Sequence, residues 1–348
     1  MAMTSGDATG TRRARSALVL ARVGLALALC GGWASGCGST SSAPLRQATL
    51  VLDFVPNAVH AGIYRALAAG YYRQQGIALR VIEPSATTET LKLIDAGSAQ
   101  FGLADGSDVM GLIAHGGDAK AVMAIVQRPL GGLIGLAGEG LRSPADLQGR
   151  TVGITGVPSD RAVLDTEVRG AGGDPRRVHV ATVGFNGAQA LVAGRVAAFT
   201  GFIPDDGVGL QVGGHPITAF ALDRYGGPSY PGLVAFTTQR EIAAHPGLVR
   251  GFVAATVHGY EDTLADPGRS LNELLAANPS LQRKLTSASL AAYLPLFAGT
   301  ESHPARRKVA FGTLQRGNVE AMSRWMLANG LIEGPVSASR YGTNEFLP

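Results

Sequence analysis

Short apolar runs alternate with amphipathic stretches along the chain from residue 48 onward. A short run rich in β-branched residues predicts a strand, whereas apolar residues three or four positions apart predict a helix. This alternation is typical of βα units that build mostly parallel sheets. The predicted strands are Ala48 to Phe54, Ile77 to Ile82, Phe101 to Ala104, Lys120 to Gln127, Thr151 to Ile154, Val178 to Val183, Val196 to Phe199 and Leu233 to Thr237.

Glycine, proline and capping residues mark where the predicted helices begin and end. Ile63, Leu67 and Tyr71 share a helical spacing, and Gly76 is predicted to end their helix in the left-handed conformation. A long helix follows Pro246, and its apolar stripe predicts simple core packing. The residues predicted to cap other helices are Ser85 or Thr87, Ser143 and Asn186.

The βα units form two series. Arg128 to Gly132 is rich in glycine and proline and predicts a crossover out of the first series, and the strand Leu233 to Thr237 predicts the return. A chain of 348 residues is long enough for two lobes with separate cores. The predicted fold class is therefore α/β with two lobes, each a mostly parallel sheet flanked by helices, joined by two crossover strands. The expected bounds are 46–129 and 222–348 for lobe 1 and 130–221 for lobe 2, with the hinge near Pro129-Leu130 and Leu222 to Tyr225.

The first 36 residues have the pattern of an export signal. Four arginines precede an apolar run, Val23 to Ala34, which is too short to span a bilayer and ends in small residues. Cys37 follows Ala34-Ser35-Gly36, and this arrangement resembles a bacterial lipobox in which the cysteine is diacylated. We expect a lipid anchor at Cys37 and a flexible tether over 37–45. The alternative is an ordinary signal peptide with an incidental cysteine.

Charge and cysteine content exclude several classes of function. Without Asp7 and the four leader arginines, the 30 basic and 26 acidic residues fall to 26 and 25, so the mature chain is nearly neutral. It has no basic stripe with interleaved aromatic residues, which argues against a nucleic-acid partner. The second cysteine, Cys30, lies in the leader. A mature chain with Cys37 alone cannot build zinc-thiolate sites or iron–sulfur clusters.

Loops that follow strands are the candidate site, because open α/β sheets bind ligands beyond the carboxyl ends of their strands. Such loops present backbone N–H groups at helix starts, which suits an anionic or polar ligand. Asp53 and Asp105 instead favour a neutral or amine-bearing heterocycle, and Phe54 offers a stacking face for a flat ring. The candidate ligand-binding residues are Asp53, Phe54, Asn57, His60, Ser85, Asp105, Ser107, Pro158, Ser159, Asn186, Phe202 and Asp205.

Several of these residues have structural alternatives. His60 either contacts the ligand or bonds its own loop. Asp105 and Asp108 are either an acid–base pair or turn and cap residues. Asp205-Asp206 either binds the ligand or begins a helix. The sequence contains no Gly-x-Ser-x-Gly, P-loop or His-Glu-x-x-His pattern. We therefore predict no catalytic residue, no metal site and no cofactor.

An ordered series of short motifs runs through nearly all of the mature chain. The motifs are Leu52-Asp53-Phe54-Val55-Pro56-Asn57, His60, Tyr64, Ala66, Gly70-Tyr71-Tyr72, Gly76-Ile77, Phe101-Gly102-Leu103, Asp146-Leu147-Gln148-Gly149-Arg150, Ala190-Leu191-Val192-Ala193-Gly194-Arg195, Leu264-Ala265-Asp266-Pro267 and Thr343-Asn344-Glu345. In this order and spacing they resemble the thiamine-pyrimidine-synthase-like (SsuA-like) binding proteins, within the wider group that includes sulfonate- and nitrate-binding proteins.

The resemblance implies a type II periplasmic-binding-protein fold and a monomer that delivers a small molecule to an ABC permease with its ATPase. Members of this group typically carry pyrimidine precursors of thiamine, such as hydroxymethylpyrimidine or formylaminopyrimidine. Asp53 and Phe54 stand where relatives often have Asn or Asp and Trp, which implies a hydrogen bond and a ring stack. The implied location is the extracytoplasmic or periplasmic face of the cell membrane, reached through the lipid anchor alone.

The resemblance also leaves rival functions open. Riboflavin, a sulfonate or nitrate are alternative ligands. Fungal relatives are pyrimidine synthases that consume a histidine and bound pyridoxal phosphate with iron. Where they carry a cysteine-rich run, this chain has Ser229 to Val234, and their sacrificed histidine has no clear counterpart in the first-lobe loops apart from His60. We therefore expect a binding protein that closes about a hinge on its ligand, and no enzyme.

Overall fold

The computed structural model describes residues 44–85, 88–298 and 310–348. The predicted signal peptide, the lipidation site Cys37, most of the tether and the capping alternative Thr87 lie outside these residues. Within the described residues, no helix is long and apolar enough to cross a membrane.

The first sheet has five strands in the order β2-β1-β3-β10-β4. β1 pairs in parallel with both β2 and β3, whereas β10 runs antiparallel to β3 and β4. The strand bounds are β1 Arg46–Val51, β2 Ile77–Ile82, β3 Phe101–Ala104, β4 Lys120–Val126 and β10 Leu233–Thr237.

The second sheet also has five strands, in the order β7-β6-β8-β5-β9. β6 pairs in parallel with β7 and β8, and β5 runs antiparallel to β8 and β9. The strand bounds are β5 Gly131–Leu136, β6 Thr151–Ile154, β7 His179–Thr182, β8 Ala198–Phe202 and β9 Ile217–Ala221.

Helices flank both sheets, and those that follow β1, β3, β6 and β8 set the loops of the candidate site. Short 3-10 turns lie at Ala58–His60, Pro144–Leu147, Pro175–Arg177, Gly184–Asn186 and Leu222–Arg224, and a π-helical turn lies at Ile203–Gly207. The α-helices are α1 Ala61–Ala68, α2 Tyr71–Gln74, α3 Glu89–Asp95, α4 Gly106–Ala114, α5 Pro158–Gly170, α6 Gly187–Val192, α7 Val208–Val212, α8 Gln239–Ala244, α9 Pro246–Ala265, α10 Pro267–Ala277, α11 Arg283–Phe297, α12 Arg316–Ala328 and α13 Ala338–Tyr341.

The two-lobed α/β architecture is confirmed, and several local predictions are wrong. β5 and β9 had no predicted counterpart, because the Gly-Gly-Leu-Ile-Gly-Leu stretch of β5 reads as a turn. Their antiparallel pairing makes the second sheet mixed, as the antiparallel β10 does for the first. The first predicted helix is broken at Gly70, whose φ of +73° separates α1 from α2. The predicted caps Asn186 and Ser85 are both wrong: Asn186 precedes α6 but makes no capping bond with its side chain, and the N-cap position of α3 is Thr88.

The chain passes between the sheets twice, from β4 to β5 and from β9 to β10. The lobe bounds and the hinge stay predictions. Arg128 on the first passage and Asp223 on the second are joined by an ion pair of 2.6 Å. Two helices near the C-terminus contact the second lobe as well: α11 packs on α7, and Trp325 of α12 donates from its indole nitrogen to the Thr166 hydroxyl of α5 at 2.9 Å. The lobes are therefore linked by packed side chains besides the two passages.

Candidate functional site

Four loops that follow β1, β3, β6 and β8 carry carboxylates that act on one another across the lobes. In the first lobe, the charge of Asp53 raises the pKa of Asp105. Between the lobes, Asp53 also raises the pKa of Asp205, and Asp160 raises that of Asp108. Charges influence each other appreciably only at short range, and Tyr293 of the first lobe bonds Asp205 of the second, so these loops face one another across a cleft. A surface depression beside β2 contains none of these carboxylates, so the candidate site is the cleft.

The loop after β1 holds Asp53 against a fully buried histidine. Asn57 caps the turn that follows, accepting from the Val59 N–H at 2.9 Å. Its own N–H donates to Nδ1 of His60 at 3.1 Å, and Nε2 of His60 lies 2.7 Å from Oδ1 of Asp53. Since a backbone amide only donates, Nδ1 is the acceptor and Nε2 carries the proton. His60 is thus a neutral imidazole that positions Asp53.

This geometry bears on the two roles considered for His60. Its side chain has no exposed surface, and both ring nitrogens are occupied by the loop. This agrees with the alternative that His60 bonds its own loop, while the side chain of Asp53 is 13% exposed. Phe54 next to it is 41% exposed, so this loop presents one carboxylate and one aromatic ring.

The loop after β3 presents Asp105 at the start of α4. Its Oδ1 accepts from both the backbone N–H and the hydroxyl of Ser107, each at 2.7 Å. Burial, and after it the charge of Asp108, raise the pKa of Asp105 to about 7 against the opposing effect of the Ser107 hydrogen bonds. A carboxyl group with this pKa exchanges its proton near neutral pH. Asp105 therefore is a cap, as one alternative held, and also a titratable group of the cleft.

Asp108 stands one turn further along α4. Its side chain is exposed, yet the surrounding protein atoms raise its pKa, and the carboxylate of Asp160 adds to this effect. Contact with solvent limits this effect of burial. Asp108 and Asp160 belong to different lobes, and their like charges oppose each other across the cleft.

In the second lobe, Asp160 closes the loop after β6. Its Oδ2 accepts from the N–H and the hydroxyl of Thr155, at 2.8 and 2.6 Å, and from the Gly156 N–H at 3.0 Å. The predicted site residues Pro158 and Ser159 begin α5 directly after this loop. One buried carboxylate oxygen thus fixes the backbone that leads into the cleft.

The loop after β8 brings Asp205 against the first lobe. Tyr293 of α11 donates from its hydroxyl to Oδ2 of Asp205. Burial raises the pKa of Asp205 to about 7, and the Tyr293 hydrogen bond opposes this. Asp206 accepts from the Phe202 N–H at 2.7 Å, and the Phe202 ring packs against the core of the first lobe. Asp205 and Phe202 therefore lie where the lobes meet.

Two predicted site residues make no contact with this group of carboxylates. Ser85 is exposed and donates from its backbone N–H to Glu89. Asn186 is exposed between β7 and α6. Both follow strands, as predicted, but β2 and β7 are edge strands. Their loops therefore follow the outermost strands of the two sheets.

Sequence reasoning missed Asp160 and Tyr293 at this site and Trp325 at the contact between α12 and α5. Asp160 lies within a predicted loop and gave a signal, since an aspartate in the first turn of a helix often bonds backbone N–H groups. Tyr293 and Trp325 gave none, because single aromatic residues on helices are typical of core packing. Only the fold brings them to the second lobe.

The fold and the cleft define a class: this is a two-lobed protein of the periplasmic-binding-protein fold, with its candidate site between the lobes. A solved structure with the same fold is the periplasmic aliphatic sulphonate binding protein SsuA from Escherichia coli. It has a TM-score of 0.66 and 14% identity, and the match covers 84% of this chain and 91% of that one. The chain belongs to the NMT1/THI5-like family, whose model matches residues 57–270. The resemblance predicted from the motifs is thereby confirmed.

Curated relatives carry both binding and synthase names. The formylaminopyrimidine-binding protein of Halalkalibacterium halodurans is 31% identical over 84% of this chain and 88% of its own length. The riboflavin-binding protein RibY of Chloroflexus aurantiacus is 28% identical, with 87% of each chain covered. The 4-amino-5-hydroxymethyl-2-methylpyrimidine phosphate synthase of Legionella pneumophila is 24% identical over 87% of this chain and 92% of its own.

Proposed function

We propose that the chain is the extracytoplasmic solute-binding component of an ABC importer and that it binds a thiamine pyrimidine precursor. The observation that carries this proposal is the cleft, where carboxylates from both lobes face one space beside the exposed ring of Phe54. An aminopyrimidine offers amine donors to carboxylates and a flat ring to an aromatic side chain. The relative that is 31% identical, named for formylaminopyrimidine, supports this ligand class.

In this proposal Asp53, Asp105 and Asp205 accept hydrogen bonds from the ligand, and Phe54 stacks on its ring. His60 acts through Asp53. We propose the remaining ligand contacts because these residues lie in or next to loops that follow strands: Asn57, Ser85, Ser107, Pro158, Ser159, Asn186 and Phe202.

Binding is proposed to stabilise a closed arrangement of the lobes, which the permease recognises. We place lobe 1 at 46–129 and 222–348 and lobe 2 at 130–221, with the hinge at Pro129-Leu130 and Leu222 to Tyr225. The Arg128–Asp223 ion pair joins these two passages and supports this position. The proposed partners are the permease and its ATPase, with a monomeric binding protein held to the membrane through Cys37.

A binding protein is favoured over a synthase. The rival chemistry sacrifices a histidine, and His60 is buried with both ring nitrogens engaged by its own loop. Riboflavin is the second candidate ligand, because the flat ring beside Phe54 need not be a pyrimidine and RibY is similar over 87% of this chain.

The test is a thermal-shift and calorimetric screen of residues 38–348 with hydroxymethylpyrimidine, formylaminopyrimidine, riboflavin, sulfonates and nitrate. A ligand at about 100 times its dissociation constant adds ~2.7 kcal/mol of stability. A selective shift with a pyrimidine supports the proposal, and a shift with riboflavin alone replaces the ligand. Iron-dependent consumption of pyridoxal phosphate without any ligand shift would refute the binding-protein assignment.

A further inference from the structure

We propose that the cleft rejects anionic ligands and that Asp105 and Asp205 are the residues that set this selectivity. The ligand is then an uncharged or amine-bearing heterocycle without a phosphate, sulfonate or carboxylate group. This inference rests on the proposed function, because it specifies the ligand class of the same cleft.

Several backbone N–H groups in the loops of the first lobe already have acceptors. Amides at helix starts are the usual binding groups for anions. Here the Asn57 and Val59 amides donate to the side chains of His60 and Asn57. The Ser107 amide donates to the Asp105 carboxylate. The sequence suggested that these amides were available to an anion, and the structure contradicts that expectation.

The second lobe uses its amides in the same way. Thr155 and Gly156 both donate to one oxygen of Asp160, and Phe202 donates to Asp206. An anion at either loop has to displace an internal carboxylate and then lie beside it. Six loop amides of the two lobes are therefore already bonded to the chain's own side chains and are not free to bind an anion.

The carboxylates of Asp105 and Asp205 leave negative charge in the cleft. Oδ1 of Asp105 takes both bonds from Ser107, and Oδ2 of Asp205 takes the bond from Tyr293. The second oxygen of each accepts no hydrogen bond from the described part of the chain, so it is left for a donor on the ligand. Within that part, no lysine or arginine is among the main groups that influence Asp105 or Asp205. An anion would meet negative charge from both lobes, from Asp105 in the first and Asp205 in the second.

The experiment uses ligand pairs that differ by one phosphate: hydroxymethylpyrimidine with its phosphate ester, and riboflavin with riboflavin 5′-phosphate. Affinities are measured by calorimetry at pH 8. We expect the uncharged member to bind roughly 100-fold more tightly than its phosphate ester, the effect of like charges within several ångströms in a partly desolvated cleft. Asp105→Asn and Asp205→Asn should each shrink this ratio about tenfold, because each removes one opposing charge.

The variants separate selectivity from folding. Asparagine is as good a helix cap as aspartate, so Asp105→Asn keeps the bond from Ser107. Glu139→Gln is the matched control, since it also removes one negative charge but lies beyond the end of β5 that is remote from the cleft. Its ligand ratio should equal that of the parent protein. If Glu139→Gln shrinks the ratio as much as the cleft variants do, net charge and not the cleft sets the selectivity, and the proposal is wrong.

Failure of this inference differs from failure of the proposed function. A phosphate ester that binds as tightly as its alcohol overturns anion exclusion and leaves the pyrimidine importer intact. If riboflavin binds more tightly than riboflavin 5′-phosphate and neither pyrimidine binds, the exclusion of anions is supported and the pyrimidine assignment is overturned. Binding of inorganic phosphate or a sulfonate without any heterocycle overturns both.

Discussion

Replacement of His60 tests how the first loop is built. His60→Leu keeps most of the buried volume but removes the acceptor of the Asn57 N–H and the donor to Asp53. A neutral hydrogen bond contributes about 1 kcal/mol and one to a charged group about 1.5–3 kcal/mol. Because Asp53 is 13% exposed, water replaces part of its lost bond. We therefore expect a loss of about 2–4 kcal/mol of unfolding free energy.

The assay is urea unfolding followed by circular dichroism, with ligand affinity measured by calorimetry. At roughly 2 °C per kcal/mol for a chain of this size, Tm should fall by about 4–8 °C. Affinity should fall as well, since Asp53 loses the group that holds it. Val59→Ala is the control: Val59 is buried in the same turn, so its loss lowers stability and leaves Asp53 bonded.

Two results would refute the reasoning. A His60→Leu protein within about 0.5 kcal/mol of the parent would mean that these hydrogen bonds contribute little. Nitrogen NMR shifts that place the proton on Nδ1 of His60 would contradict the tautomer assigned from the Asn57 amide.

The remaining predictions concern α4 and the contact between lobes. Gly106→Ala should cost about 1–3 kcal/mol in urea unfolding, because its Cβ would lie 2.2 Å from the Pro231 carbonyl oxygen. Raising the pH from 5 to 7 should lower Tm, because Asp105, with its pKa raised to about 7, binds more protons folded than unfolded in that range. Asp105→Asn should flatten this slope, and an unchanged slope would exclude Asp105 as its source. Trp325→Phe and Thr166→Val should show a coupling of about 1 kcal/mol in a double-mutant cycle, since they share one hydrogen bond; additive effects would mean that the bond adds no stability.

Local patterns predicted most of the core elements because their signals are short-range. β2, β3, β6 and β10 have the predicted bounds, since each is an apolar run with turn residues at both ends. β5 was missed because its glycines hide a strand whose stability comes from pairing with β8 and β9, and β9 was missed although it is an edge strand that pairs with β5. Strand pairing is a long-range interaction that no local pattern records.

The sequence by itself determined the two series of βα units, the family and the loops that face the cleft. It placed Asp53, Asp105 and Asp205 in those loops, because residues after strands meet at the carboxyl ends of a sheet. Only the tertiary structure decided what these residues do. Burial and the approach of the two lobes raise the pKa values of Asp105 and Asp205, and the bonds to His60 and Tyr293 form only when distant or buried groups are packed together. Electrostatic and hydrogen-bond partners are fixed by distances in space, which spacing along the chain does not supply.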